Sequence, residues 1–171
     1  APAVDRCRTL IEAGAVVALW QGRSEFGPRA LGHRSIVCRA DSPPLARRLN
    51  QRIKKRDWYR PFGCAVGQDG AGAGLPASEF MEATVDIPRA HSRDFSGVRH
   101  IDGSSRVQTV SRRLDVGLMS DLISRRHGAP LLNTSLNRCG QPMIETPEQA
   151  IECFHDLEVD AIMLDDLLVE W

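Results

Sequence analysis

Lysine is nearly missing from this chain. Of its 22 cationic side chains only Lys54 and Lys55 are lysines. A bias this strong reflects genome composition as readily as function, yet it singles out the lysines that are kept. Cysteine is sparse too: Cys7, Cys38, Cys64, Cys139 and Cys153 are odd in number, scattered and never in CxxC spacing. That excludes a disulfide framework and a zinc ribbon, and favours free thiols in a reducing compartment. The five histidines, His33, His91, His100, His127 and His155, are equally dispersed, with no pair at metal-ligand spacing on one helix. No apolar run approaches the roughly 18 residues of a spanning helix, and the first residues carry charges where a signal peptide would need an apolar core. A cytoplasmic protein without membrane contact is therefore expected. No GxxxxGK[ST] phosphate loop, GxGxxG turn or GxSxG elbow occurs, so Ser135 has no case as a nucleophile.

What is present suits one ordinary domain: 171 residues, 42% apolar and 26% charged. The net charge of zero hides a segregation. Residues 1 to 60 hold 13 basic and 5 acidic side chains, whereas residues 139 to 171 hold 9 acidic and no basic ones. Either the two ends neutralise each other in the fold, or the basic third holds a polyanion. Apolar spacing predicts helices over 3–13, from Pro43 along Leu45, Leu49 and Ile53, over 114–127, and from Thr146 to about Leu157. Strands are predicted over 16–20, 35–38, 61–66, 84–87, 98–101, 106–110, 130–133, 161–164 and 167–169, with a turn over 102–105. Gly70 to Gly74 is expected to be a flexible loop. The alternation predicts a single α/β (α+β) domain.

Four polar islands interrupt these elements. They are Gly22 to Ser35 (GRSEFGPRALGHRS), Lys54 to Arg60 (KKRDWYR), Arg106 to Thr109 (RVQT) and Asn133 to Gly140 (NTSLNRCG). In the first, arginines sit among glycines that let the backbone approach a ligand, and each guanidinium offers a planar fork to phosphate or carboxylate. The bland alternatives are a solvated basic loop and a Ser/Asn turn bonded to its own backbone. Together the islands supply cations, amides and hydroxyls with few carboxylates. That inventory suits phosphates and a small carbonyl better than paired-carboxylate catalysis.

In order, FGPRALGHRS, IKKRDWYRPF, HIDGSSRVQTV and LLNTSLNRCGQPMI resemble the C-terminal domain of the O-carbamoyltransferases of antibiotic tailoring and nodulation. The resemblance runs from about Val16 to Trp171. It implies a YrdC/Sua5-like fold, a twisted mixed sheet with flanking helices and a concave nucleotide site. It also implies ATP and carbamoyl phosphate as substrates, magnesium carried with ATP, and carbamoyl adenylate as product. The family's Lys-x-Arg motif matches Lys54 and Arg56, and its Ser-x-Asn motif Ser135 and Asn137. Arg29, Lys54, Arg60 and Arg106 are the implied catalytic cations, with Arg56, Ser135 and Asn137 completing the substrate and nucleotide site. Departures are His33 for the usual asparagine, Cys64 for proline and Gln141 for glutamate. The family's kinase-like N-terminal transfer domain does not occur in these residues. The chain is expected to be an excised domain or a small subunit that works with such a partner. The rival classes are a non-catalytic nucleotide-binding module and an RNA-binding one. Zero net charge and the lack of aromatic and basic interleaving beyond Trp58 and Tyr59 weigh against RNA.

Overall fold

The computed structural model describes residues 2–68, 74–111 and 117–171. Helix α1 (Pro2–Glu12) buries Val4, Cys7 and Ile11 on one stripe, and Gly14, at φ +94, turns the chain out of it. Strands β1 (Val17–Trp20) and β2 (Arg34–Arg39) bracket the first polar island. Helix α2 (Pro43–Arg48) opens with prolines in its first turn and passes into a π-helical turn over Leu49–Ile53. The apolar spacing of four predicts one continuous α-helix here. The wider π turn accommodates the same spacing, burying Leu49 and Ile53 and also Asn50. Strand β3 (Gly63–Val66), β4 (Thr84–Asp86), a 3₁₀ turn at Arg89–His91, and β5 (Ser104–Thr109) follow. Helix α3 (Gly117–Arg125), β6 (Leu131–Ser135), α4 (Pro147–Asp156), β7 (Ala161–Leu164) and β8 (Leu167–Glu170) complete the described elements. Most of the predicted Gly70–Gly74 loop and the start of the helix predicted over 114–127 lie outside the described residues.

The strands form one mixed sheet of eight, in the order β4-β5-β3-β6-β2-β1-β7-β8. β1 runs parallel to β7 and β3 to β5, while the other pairs are antiparallel. Both faces are covered. Val17, Leu19, Val37, Ala65 and Leu131 pack against α1 and α3, and Ile36, Cys64, Val107 and Leu132 against α4, the π turn and Phe95. Helix α4 starts with a complete capping box: Thr146 accepts from the Gln149 backbone, and Gln149 Oε1 accepts from the Thr146 N–H.

One predicted strand is wrong. Residues 98–101 are turn, with Val98 buried as a plug and Ile101 fully exposed. The strand-like run Val-Arg-His-Ile is bent because the His100 N–H donates to Ser104 O at 2.7 Å and the Gly103 N–H to His100 O at 3.0 Å. Gly97 also packs so tightly that a Cβ there would lie 2.8 Å from Ala40 O. The turn thus sits two residues earlier than predicted, and Ser104 and Ser105 belong to β5.

Candidate functional site

The first island is a loop pinned from both sides. Arg34 is 2% exposed, and its guanidinium donates to the carbonyls of Gln21, Gly22, His33 and Glu145 while stacking 4.3 Å from the Trp20 ring centroid. Its burial pulls its pKa down, partly offset by Glu25 and Glu145. Glu25 Oε1 accepts from the backbone N–H groups of Leu31, His33 and Arg34 at 2.7, 2.8 and 3.1 Å. His33 Nδ1 donates to Gln21 O, which gives that residue a role in closing the loop neck. Gly27 and Gly32, at φ +133 and +117, take backbone conformations that a Cβ would strain. Arg29, between them, is exposed.

The loop's inner side rests on a buried amide pair. Gln108 Nε2 donates to Leu31 O at 2.6 Å, and Asn133 Nδ2 donates to Ala30 O and to Gln108 Oε1 at 3.1 and 3.0 Å. Both amides are at most 3% exposed. The island Arg106 to Thr109 is the C-terminal part of β5, and Asn133 to Gly140 starts in the last three residues of β6 and runs on past its end.

The second island hangs from the π turn. Asn50 donates through Nδ2 to the Trp58 and Arg60 carbonyls and accepts Arg56 Nε at 2.6 Å. Arg56 stacks 4.3 Å from the Phe62 ring centroid. Lys54, 7% exposed, donates to Ser135 O at 2.9 Å and to Asn137 Oδ1, and Ser135 Oγ donates to Asn137 Oδ1 at 2.7 Å. The Lys-x-Arg and Ser-x-Asn motifs are thus one hydrogen-bonded unit. Burial, and then the Arg56 charge, pull the Lys54 ammonium down to about 8.

Above this unit opens a cavity of about 330 Å³, lined by Arg29, Arg56, Arg60, Arg106, Asn133 and Ser135 among others. Burial and the neighbouring Arg60 and Arg106 pull Arg56 down to about 10, and burial with Arg29 lowers Arg106. None of these four guanidiniums takes part in the ion pairs found among the described residues. All seven sequence-predicted site residues therefore converge: five line the cavity, and Lys54 and Asn137 bond to Ser135 beneath it. Asn50, Glu25 and Gly63 were not anticipated. A buried asparagine on a helix's apolar stripe, and an acid inside an arginine-rich loop, are the signals that point to the first two. Among the described residues no three His, Cys, Asp or Glu side chains gather as a metal site, and the donors lining the cavity are cationic or neutral. The residues do not form a cage for magnesium.

A family model described as the carbamoyltransferase C-terminus matches residues 8–171. The chain belongs to the carbamoyltransferase family. The carbamoyltransferase domain is 36% identical over 177 residues to the nodulation protein NolNO of Sinorhizobium fredii, covering 97% of this chain and 26% of the relative. It is 34% identical over 162 residues to 3'-hydroxymethylcephem-O-carbamoyltransferase of Streptomyces clavuligerus, covering 91% and 30%. The chain thus spans less than a third of the length of these curated relatives. Full-length HypF, solved in a phosphate- and nucleotide-bound form, superposes with TM-score 0.62 at 16% identity, over 96% of this chain and 25% of that one. P. abyssi Sua5, solved with L-threonine, gives TM-score 0.61 at 15% identity, over 95% and 46%. At these identities the likeness concerns the fold, which is the YrdC/Sua5-like one. Among the described residues no helix is long and apolar enough to cross a membrane.

Proposed function

We propose that this carbamoyltransferase domain forms carbamoyl adenylate from carbamoyl phosphate and ATP, as the activating half of an O-carbamoyl transfer to a hydroxyl acceptor. The observation that carries this reading is the cluster of Arg29, Arg56, Arg60 and Arg106 around one cavity, in none of the ion pairs found among the described residues, above a buried Lys54. Cations held together against mutual repulsion and partial burial bind an anion with a gain in electrostatic energy. The phosphate- and nucleotide-bound form of the HypF neighbour supports the same occupant.

The chemistry balances with one water. Water cleaves carbamoyl phosphate to carbamate and inorganic phosphate, a carbamate oxygen attacks the α-phosphorus of ATP, and pyrophosphate leaves. The domain's task is to bring two anions into contact and to stabilise charge on phosphoryl oxygens, which Arg29, Arg60, Arg106 and Lys54 do electrostatically. Arg56 holds the neighbouring loop through Asn50 and adds charge. Ser135 and Asn137 fix the Lys54 ammonium and offer hydroxyl and amide to the adenylate. A groove of about 510 Å³, lined by the exposed Trp58 and Tyr59 and sharing Arg60 and Phe62 with the cavity, suits the adenine base. Magnesium arrives on ATP, held by phosphate oxygens and water. A kinase-like partner domain or subunit completes transfer to the acceptor.

The test is carbamoyl-phosphate-dependent release of pyrophosphate, measured with and without that partner. Arg29→Ala and Lys54→Ala should each lower the rate by roughly 10²-fold or more while circular dichroism stays native. A wild-type chain that releases no pyrophosphate even with its partner, yet binds ATP, would leave the non-catalytic nucleotide module in its place.

A further inference from the structure

Arg29 and Arg60 reach the cavity from exposed positions on two different loops. Neither guanidinium takes part in the ion pairs or the side-chain hydrogen bonds found among the described residues. What aims each cation is therefore the backbone that carries it. In both loops that backbone is gripped by a buried amide side chain from a neighbouring element.

Asn50 grips the loop of Arg60. The π turn closes with the Lys54 N–H donating to Leu49 O at 2.7 Å, and its extra residue brings Asn50 onto the buried face beside Leu49 and Ile53. There Asn50, 3% exposed, donates through Nδ2 to Trp58 O at 3.1 Å and to Arg60 O at 2.9 Å. Its Oδ1 accepts from Arg56 Nε at 2.6 Å, and its own carbonyl accepts from the Arg56 N–H at 2.9 Å. The partners fix the orientation of the amide, because carbonyls only accept and a guanidinium only donates. One residue thus closes the segment from Arg56 to Arg60, with one of its bonds on Arg60 itself.

Gln108 grips the loop of Arg29. Fully buried on β5, it donates from Nε2 to Leu31 O at 2.6 Å and accepts through Oε1 from Asn133 Nδ2 at 3.0 Å. Asn133 Nδ2 also donates to Ala30 O at 3.1 Å. The two residues that follow Arg29 are therefore tied to the sheet, and Ala30 is itself buried. The two sets of bonds have no residue in common.

We propose that Asn50 and Gln108 are positioning residues that each aim one cation of the cavity, Asn50 setting Arg60 and Gln108, braced by Asn133, setting Arg29. An arriving anion then meets two cations already in place, which spares the ordering of two loops on binding. This division of work rests on the cavity being the anion site proposed above.

Double-mutant cycles on pyrophosphate binding, measured by calorimetry, test it. Asn50→Leu and Gln108→Met nearly keep the volume of each side chain and remove its hydrogen bonds. Arg29→Ala and Arg60→Ala should each weaken pyrophosphate by about tenfold or more. In the Asn50→Leu background, Arg60→Ala should cost less than about threefold further, while Arg29→Ala still costs its full factor. The Gln108→Met background should show the mirror image, with Arg29→Ala nearly silent and Arg60→Ala at full force. Amides that only support the fold would give costs that add for both arginines, or one general loosening that couples to both alike. Either pattern would overturn the proposal while leaving pyrophosphate binding and release intact.

A second measurement needs no variant. In the ligand-free wild type, the side-chain amide protons of Asn50 and Gln108 should exchange at least about tenfold more slowly than those of the exposed Gln51. Rapid exchange at either would mean that its grip is not formed before the anion arrives, and would remove that residue's role. A wild-type chain that neither binds nor releases pyrophosphate would instead remove the anion site, and the positioning with it.

Discussion

Lys54 is the residue where burial and function meet most directly. It is one of only two lysines in the chain, it is 7% exposed, and its ammonium is tied to Ser135 and Asn137. An ammonium pulled down to about 8 by burial and by Arg56 is charged below that pH and neutral above it. An anion in the cavity favours the charged form, so anion affinity should fall as pH rises through about 8. Sulfate is a clean probe because its own charge does not change over this range. Its affinity should drop about tenfold between about pH 7 and pH 9, the order expected for one lost charge contact. Lys54→Met should bind sulfate with the weak, high-pH affinity throughout and show no step. Arg56, at about 10, does not titrate within this window. A wild-type affinity flat from pH 7 to pH 9 would remove Lys54 from the anion site. Arginine at this position would not behave alike, because a planar fork cannot place one nitrogen among Ser135 O, Ser135 Oγ and Asn137 Oδ1.

The element that decides the site's shape is the loop between β1 and β2, and its keystone is Arg34 rather than Arg29. Arg34 closes the loop neck by donating to four carbonyls, and Glu25 gathers the returning backbone. Arg34→Ala leaves those carbonyls short of donors in a buried place. It should cost about 3 kcal/mol in urea denaturation, and Arg34→Lys should recover little of it. Arg29→Ala should leave stability within about 0.5 kcal/mol, since Arg29 is exposed. Equal losses for the two variants would contradict this division of labour. The sequence showed both arginines in one glycine-rich segment, but not which was buried, because that depends on Trp20 and Glu145 closing over Arg34 from distant elements. Where signals were local, the sequence was enough. The α4 capping box, the Gly14 stop and the strands around Val17, Ile36 and Ile162 follow from short-range pattern. The run over 98–101 misled because its β-branched residues are bent by contacts with Ala40 and Ser104 that no local pattern records. The motif residues of the site were legible one by one. The buried amide pair of Gln108 and Asn133 under the loop exists only once the register of β5, β3 and β6 is known.

At the scale of the whole molecule, the charge segregation divides into two parts with different fates. The sheet order sets β1 and β2 beside β7 and β8, so the cationic first third and the acidic last third become neighbours. Arg6 pairs with Glu170 at 2.7 Å, Arg48 with Asp160 at 2.8 Å and Arg52 with Glu158 at 3.8 Å. Three of the nine acids of the last third are thereby used near β7 and β8, far in strand order from β5 and β3, where the cavity arginines take part in none of the ion pairs found among the described residues. The fold neutralises itself at one end and keeps a surplus at the other. Such a surplus is a repulsive load on the folded state that a bound polyanion relieves, so ligand binding and stability should be linked. Pyrophosphate at about 100-fold above its dissociation constant should stabilise the chain by about 2.7 kcal/mol. For a chain of this size that corresponds to a rise in Tm of about 5–10 °C. Sodium chloride at the same ionic strength screens the repulsion without filling the cavity and should give a clearly smaller rise. The double variant Arg29→Ala/Arg60→Ala should start with a Tm equal to or slightly above that of the wild type, because repulsion is gone, and should lose most of the pyrophosphate response. If chloride matched pyrophosphate in the wild type, the surplus would be a diffuse surface field, and the convergence of the four arginines on one cavity would not amount to a binding site.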